Sequence, residues 1–275
     1  MKNSARTDIP IGIWLLGGLL IVTLAALSFG AVQLSFHKLL SAQTLSIEHT
    51  VLWHIRLPRV LLCILVGGAL GYAGAAIQGL FRNPLAEPSL IGVAAGASLG
   101  VGLFVVFFAE VVQGYLGLYG MNTFAFGGAF ISSMLVLRVV DRWASGSVMV
   151  LLLVGLAFNA IASAGSSLLT YFSDDEQLRT LTFWAMGSFG SAIWSNVLVS
   201  ATLIVPATLW LRRFAMPLNL IQLGERDMAY SGVDPRRVKR HVILCTAVLV
   251  GAAVAAAGMI GFVGLMIPHL IRLLV

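Results

Sequence analysis

Eight apolar runs of roughly membrane-span length divide this chain and leave little room for any other architecture. They are Ile11–Phe29, Val60–Leu80, Ser89–Phe108, Phe124–Val140, Ser147–Thr170, Ala192–Leu211, Val242–Ala257 and Met259–Val275. A bilayer core takes about 20 predominantly apolar residues as a helix. Val60–Leu80 rises about 31 Å at about 1.5 Å per residue. Inside hydrocarbon every backbone N–H and C=O must find a partner, which admits helices and closed barrels only. Barrel strands would be shorter and would alternate apolar with polar side chains, and these runs do neither. The expected fold class is all-α, a polytopic membrane protein with about eight transmembrane helices in one transmembrane domain over residues 1–275.

Composition agrees: 59% of residues are hydrophobic and 10% are charged, against about 25% charged in soluble domains. The net charge of +6 does not point to nucleic acid, because the basic residues sit in short turns and form no basic helix or aromatic-interleaved patch. Those turns carry orientation instead. With the N-terminus cytoplasmic, thirteen of the 17 Lys and Arg residues fall on the cytoplasmic side and only Lys38, Arg56, Arg59 and Arg179 fall outside, as the positive-inside rule requires. Lys2 and Arg6 precede a span-length run with no small-residue cleavage site after it, so a retained first helix is expected rather than a signal peptide. Cys63 and Cys245 lie within apolar runs and read as packing residues, with neither disulfide nor metal-knuckle spacing.

One stretch has the wrong chemistry for its surroundings. In FRNPLAEPSLIG, residues Phe81–Gly92, the segment Arg82–Pro88 holds an arginine, an asparagine, two prolines and a glutamate between two apolar runs. Proline pushes the residue before it out of the α region, so Asn83 and Glu87 are expected extended and the loop is expected to be a stiff hairpin. Arg82 also fits a simple headgroup anchor. On either side, Gly67 and Gly71, then Gly92, Gly96 and Gly100, stand four apart. Such rows let helix backbones approach closely in lipid; they serve general packing and also hold the loop between them in one shape.

The longest polar stretch, residues 212–241, is broken by Leu218, Leu220, Ile221 and Leu223. Leu218, Ile221, Leu223 and Gly224 offer an apolar knob ringed by Glu225, Arg226 and Asp227. That pattern fits a helix seated in a partner's groove and equally an amphipathic helix lying on the membrane. His269 has no second ligand at usable spacing, so no metal site is expected. Glu110 is placed at the outer interface and is assigned no role. The spans carry no converging nucleophile and base of the kind an intramembrane enzyme needs, and no midplane charges of the kind a secondary transporter shows. Those two remain the alternative functions. No G-x-x-x-x-G-K-[ST] phosphate loop occurs.

Four blocks in a fixed order complete the pattern: residues 56–100 (RLPRVLLCILVGG…NPLAEPSLIG…), 171–190 (YFSDDEQLRTLTFWAMGSFG), 217–240 (PLNLIQLGERDMAYSGVDPRRVKR) and 255–272 (AAAGMIGFVGLMIPHLIR). Together they closely resemble the permease subunits of binding-protein-dependent ABC importers for iron–siderophore complexes, haem and vitamin B12. The resemblance implies a ten-helix permease of the bacterial inner membrane that pairs with a second permease copy. Eight of those helices are represented here, and the chain stops after the PHLIR block. It implies a non-enzymatic transport subunit without a cofactor of its own, with ATP and Mg on separate cytoplasmic ATPase subunits. A periplasmic substrate-binding protein and membrane lipid are its other expected partners. By position, it assigns Asn83, Pro84 and Leu85, with Ser147 after the fourth span, to a cytoplasmic gate. It assigns Leu218, Ile221, Leu223, Gly224, Glu225, Arg226 and Gly232 to ATPase coupling, and Arg56 and Arg59 to binding-protein docking.

Overall fold

The computed structural model describes residues 11–30, 32, 47–109, 119–143 and 148–274. Among them, every regular element is helical. In chain order these are α1 (Ile11–Ser28), α2 (Ile47–Phe81), α3 (Val93–Phe108), α4 (Gly120–Trp143), α5 (Val148–Phe172), α6 (Asp175–Met186), α7 (Trp194–Arg212), α8 (Ala215–Leu223), α9 (Glu225–Tyr230), α10 (Pro235–Ala257) and α11 (Val263–Leu274). By length and composition α1, α2, α4, α5, α7 and α10 can cross a membrane, while α3 and α11 are shorter apolar helices.

The eight expected spans are thus six full-length helices and two short ones, and backbone chemistry explains the difference. The run expected as Ser89–Phe108 opens instead with a 3₁₀ turn, Pro88–Ile91, and a left-handed Gly92 at φ 84°, so its α-helix begins only at Val93. Helix α3 then ends in a π-helical section, Phe104–Phe108. The run expected as Met259–Val275 follows Gly258 at φ 73°, which ends α10, and opens with a non-helical stretch through Phe262 at φ 64°, so α11 begins at Val263. Conversely, α2 starts well before Val60. A π-helical section, Val51–Arg56, carries the chain past Pro58, and the Leu57 N–H bonds to Leu52 O, five residues back. A π register absorbs the ladder disruption that a proline imposes.

Helix α6 was not expected from hydropathy. Its acidic start, which the sequence shows only as a charged turn, is a reciprocal cap: Asp174 Oδ1 accepts from Gln177 N at 2.8 Å, and Gln177 Oε1 accepts from Asp174 N at 3.3 Å. Asp175 and Glu176 occupy the first turn, where negative charge complements the helix dipole.

Helix α10 is the centre of the bundle. It packs on α4, α2, α7 and α3, and its membrane portion is buried nearly all round. Helix α1 buries no side chain and presents its apolar surface outward, toward lipid. Because lipid tails are as apolar as the side chains, packing depends on close backbone approach. Where α3 crosses α4, a Cβ on Gly96 would stand 2.5 Å from Gly128 O, and one on Gly128 or Gly100 would overlap a backbone carbonyl of the facing helix. Gly74 of α2 meets the Gly264 carbonyl of α11 in the same way. That carbonyl has no helical donor four residues on, because residue 268 is a proline. Gly67, by contrast, faces open space, and Gly71 only touches Ile267 at ordinary contact distance. Of the two glycine rows read from sequence, the one on α3 makes the close crossing.

Gly96→Leu should therefore destabilise the bundle by at least the 1–3 kcal/mol typical of overpacking. Gly67→Ala should leave it unchanged, a contrast readable as thermal unfolding midpoints of the two variants in detergent.

Candidate functional site

The polar loop after α2 is held at every corner. Helix α2 ends with Arg82 in the left-handed region, φ 51° and ψ 34°. The amide of Arg82 bonds to Gly79 O at 3.3 Å and that of Asn83 to Gln78 O at 3.2 Å, so two of the last four carbonyls of the helix are satisfied. Asn83 Oδ1 accepts from Leu85 N at 2.9 Å, and Asn83 O accepts from Ala86 N at 3.1 Å. These bonds close a compact turn in which Asn83, Pro84 and Leu85 are exposed while Ala86 is buried. Glu87 is extended, as its following proline dictates. Its carboxylate accepts the Phe262 N–H at 3.4 Å, tying the loop to the start of α11. Asn159 of α5 donates to Ser89 O at 3.0 Å, and Gly155 lies directly against the Leu90 carbonyl. Two prolines and these contacts make the loop a fixed projection.

The segment between α7 and α10 forms two short helices, α8 and α9, joined at Gly224, whose φ of 136° only glycine adopts easily. Gly232, at φ 81°, turns the chain again before α10. The apolar knob read from sequence is divided by the fold. Ile221 is fully buried and Leu218 packs over Gly79, so both anchor the segment to the end of α2. Gln222 Nε2 donates to Gly79 O at 2.7 Å in the same contact. Leu223 remains exposed, and Met216 and Tyr230 join it as large apolar side chains in water-facing positions. Hydropathy does not single out Met216 and Tyr230, because it does not tell which apolar side chains of the segment the fold buries, as it does Ile221 and Met228, and which it leaves exposed. Met228 is buried from α9, and Glu225 Oε2 pairs with Lys239 Nζ of α10 at 2.7 Å, the ammonium itself being nearly buried. Arg226 stays exposed.

At the opposite end, the two arginines of the RLPR motif diverge. Arg56 is buried, and its guanidinium donates to Leu27 O at 2.7 Å, to Ser28 O at 3.0 Å and to Val32 O. It closes the C-terminal end of α1, where a cation satisfies orphan carbonyls and complements the dipole. Arg59 is exposed and reaches Phe189 O and Gly190 O at 3.2 and 3.4 Å, beside the turn that follows α6. Ser147 and Glu110 lie outside the described residues. Among the described residues no cluster of three or more His, Cys, Asp or Glu could hold a metal ion, and His269 and Arg272 of α11 stand without such company.

What remains is an apparatus of fixed loops and a protruding two-helix segment on a helical bundle, and known proteins of this shape were found by comparison. A family model described as the FecCD transport family matches residues 18–275. The chain belongs to the FecCD transport family. It is 44% identical over 280 residues to a hemin transport system permease protein of Yersinia pestis, spanning 99% of this chain and 81% of that one. It is 40% identical over 263 residues to a vitamin B12 import system permease protein of Salmonella typhi, spanning 94% of this chain and 77% of that one. Among solved structures, one described as an inward-facing conformation of a metal-chelate type ABC transporter superposes with a TM-score of 0.83 at 34% identity, covering 98% of this chain and 82% of that chain. As a FecCD permease, the chain is a multi-pass transport subunit and not itself an enzyme.

The different settings of the two arginines have a measurable consequence. Arg56→Ala removes a charged donor from three carbonyls and should cost about 2–4 kcal/mol of stability, on the scale of about 1.5–3 kcal/mol for a hydrogen bond to a charged group. Arg59→Ala should cost less than about 1 kcal/mol, its bonds being exposed, when both variants are compared by thermal unfolding in detergent.

Proposed function

We propose that this permease is the membrane-spanning subunit of an ATP-driven importer that moves a metal chelate from periplasm to cytoplasm. The cargo class is the one shared by its relatives: haem, cobalamin or a ferric siderophore. The observation that carries the reading is the α8–α9 segment. It is anchored inward by Ile221, Met228 and the Glu225–Lys239 pair, and it offers Met216, Leu223 and Tyr230 outward. Exposed large apolar side chains on a short, inwardly anchored helical segment suit a helix-in-groove contact, and the partner that fits is a cytoplasmic ATPase subunit carrying ATP and Mg. The basic residues around it, Arg212, Arg213, Arg226, Arg236, Arg237 and Arg240, support a cytoplasmic placement of this side, and with it a cytoplasmic N-terminus in the bacterial inner membrane.

In this reading Asn83, Pro84 and Leu85, with Ser147, form the cytoplasmic gate. Two copies of the fixed loop, one from each permease of a homodimer, would meet at the axis and close a pathway wide enough for a macrocyclic chelate. Hydrolysis on the partner displaces α8 and α9; the Glu225–Lys239 ion pair passes that displacement to α10, and Gln222 and Leu218 pass it to the end of α2, where the gate loop begins. Rigid elements with two arrangements transmit such a change. Arg59 faces outward with the turn after α6, where it supports docking of the periplasmic binding protein by charge complementarity. Arg56, engaged with α1, contributes there only through the shape it maintains.

The test is uptake of labelled haem, cobalamin and a ferric siderophore by cells expressing the full-length permease with its partners, beside an ATPase-dead partner. Uptake of one chelate that disappears with the dead ATPase is expected, and uptake indifferent to the ATPase would overturn the importer reading. Leu223→Asp should abolish co-purification of the ATPase and reduce uptake at least about tenfold, because a carboxylate at the centre of an apolar contact cannot be desolvated cheaply. The unfolding midpoint should stay put, since Leu223 contributes nothing to the core.

A further inference from the structure

Hydroxyls in these spans commonly turn back to the carbonyl four residues earlier, as those of Ser133, Ser166 and Thr208 do, which hides the polar group from hydrocarbon. Ser200 of α7 does not. It is 4% exposed, and its Oγ has no hydrogen-bond partner among the described residues. The hydroxyls of Ser132 and Thr246 also lack partners, but they are sealed in the core. That of Ser200 keeps accessible surface, on a cavity of about 290 Å³ between α4, α7 and α10. An unmade hydrogen bond is costly in such a setting, so this O–H calls for an acceptor that the cavity can admit.

Two more free groups line the same cavity. The side-chain amide of Asn122, in the first turn of α4, makes no hydrogen bond among the described residues. Asn196, one turn before Ser200, donates from Nδ2 to Ser191 O at 3.1 Å, which leaves its Oδ1 to accept. No charged side chain lines the cavity. These groups stand within the first two turns of α4 and α7, while Phe126, Leu203 and Ala252 line the space nearer the middle of the spans. The cavity is thus polar toward the membrane face opposite α8–α9 and apolar toward the bilayer centre. Its mouth opens on an aliphatic surface. Val199, which lines it, is 52% exposed, and Leu198, Val205 and Leu209 are exposed on the same helix. Thr202, exposed between them, turns its hydroxyl back to Val199 O. An exposed aliphatic surface of this kind within a span suits lipid and not a water-filled path; α5, by contrast, exposes Ser163, Ser167 and Thr170.

We propose that this cavity seats the glycerol–ester head of an uncharged acylglycerol from the membrane. Ser200 Oγ and Asn122 Nδ2 donate to its ester carbonyls, Asn196 Oδ1 accepts from its free hydroxyl, and its acyl chains leave past Val199 along α7. The volume lies at the small end of the usual range of about 300–1,000 Å³ for small-molecule sites, which suits one end of an amphiphile. The neutral lining selects against a phosphate headgroup, whose charge would lose water there and gain no partner. An occupant would brace α7 against α10, the two helices whose other ends carry α8 and α9. Binding of this kind needs neither the ATPase nor the cargo.

The experiment is native mass spectrometry of the full-length permease alone in detergent, supplied with dioleoylglycerol, its ether-linked analogue dioleylglycerol, or phosphatidylglycerol. The diester should be retained at least about tenfold better than the diether, which keeps the hydroxyl but has no carbonyls, on the scale of two hydrogen bonds. It should also be retained better than the charged lipid. Ser200→Ala should lower retention of the diester about fivefold, the scale of one hydrogen bond, and leave that of the diether unchanged. Ala256→Leu, which fills the cavity from α10, should expel both. If that variant fails to fold, the diester–diether comparison in Ser200→Ala decides alone. Equal retention of diester and diether, a preference for phosphatidylglycerol, or retention untouched by the variants overturns the proposal. So does displacement of the lipid by free glycerol, which would mark a site for soluble polyols. A failed ATPase co-purification, or a lack of uptake, would leave every one of these readings intact.

Discussion

The contact between Gly74 of α2 and the Gly264 carbonyl of α11 sets the geometry of everything near the loop. In lipid no solvent drives helices together, so two backbones touch only where side chains are absent. Pro268 leaves that carbonyl without its helical donor, and Gly74 lets α2 come up to it. From this crossing follow the reach of Gln78, one turn further along α2, to Leu265 O and the reach of Glu87, in the loop beyond, to the Phe262 amide. A methyl group at residue 74 would separate the helices and break both.

The loop and the α8–α9 segment are attached to this frame by specific side-chain contacts. The loop Arg82–Pro88 hangs from the end of α2 and is stayed by α5 and α11. The α8–α9 segment rests on the same end of α2 through Leu218 and Gln222, and on α10 through Glu225 and Lys239. The loop and the protruding segment therefore share one support. In the importer reading proposed above, this shared support would couple the segment that meets the ATPase to the loop that gates the pathway, without a long internal route between them.

Much of this was legible in the sequence. The apolar runs gave the helices, because length and hydrophobicity suffice in a bilayer, and the two prolines gave the stiffness of the loop and the extended Glu87. Hydropathy could not place the helix ends. It reads Ser89–Phe108 as continuous, since Gly92 and Pro88 scarcely change the average, yet a left-handed glycine and a 3₁₀ turn delay the helix to Val93. It hides α6, whose start depends on the reciprocal side-chain bonds of Asp174 and Gln177 and not on burial. The RLPR motif showed two arginines on one side, but their partners come from distant parts of the chain, the end of α1 for Arg56 and the turn after α6 for Arg59, which spacing alone does not reveal. Gln78 was invisible for a related reason: a lone glutamine in an apolar run means little until the fold shows that only one end of its amide is used.

Two residues other than glycine adopt the left-handed conformation among those described, Arg82 and Phe262. For a side-chain-bearing residue that geometry costs about 1–2 kcal/mol. The two stand at the two ends of one small linkage, Arg82 where the loop leaves α2 and Phe262 where its amide meets Glu87. Local strain is thus concentrated in a single corner of an otherwise relaxed bundle. Strain of that kind persists only where the surrounding contacts over-determine it, and here they are the bonds of Arg82 N to Gly79 O and of Phe262 N to Glu87 Oε1. The corner where the loop, α2 and α11 converge is a lock whose closing strain is carried by two residues.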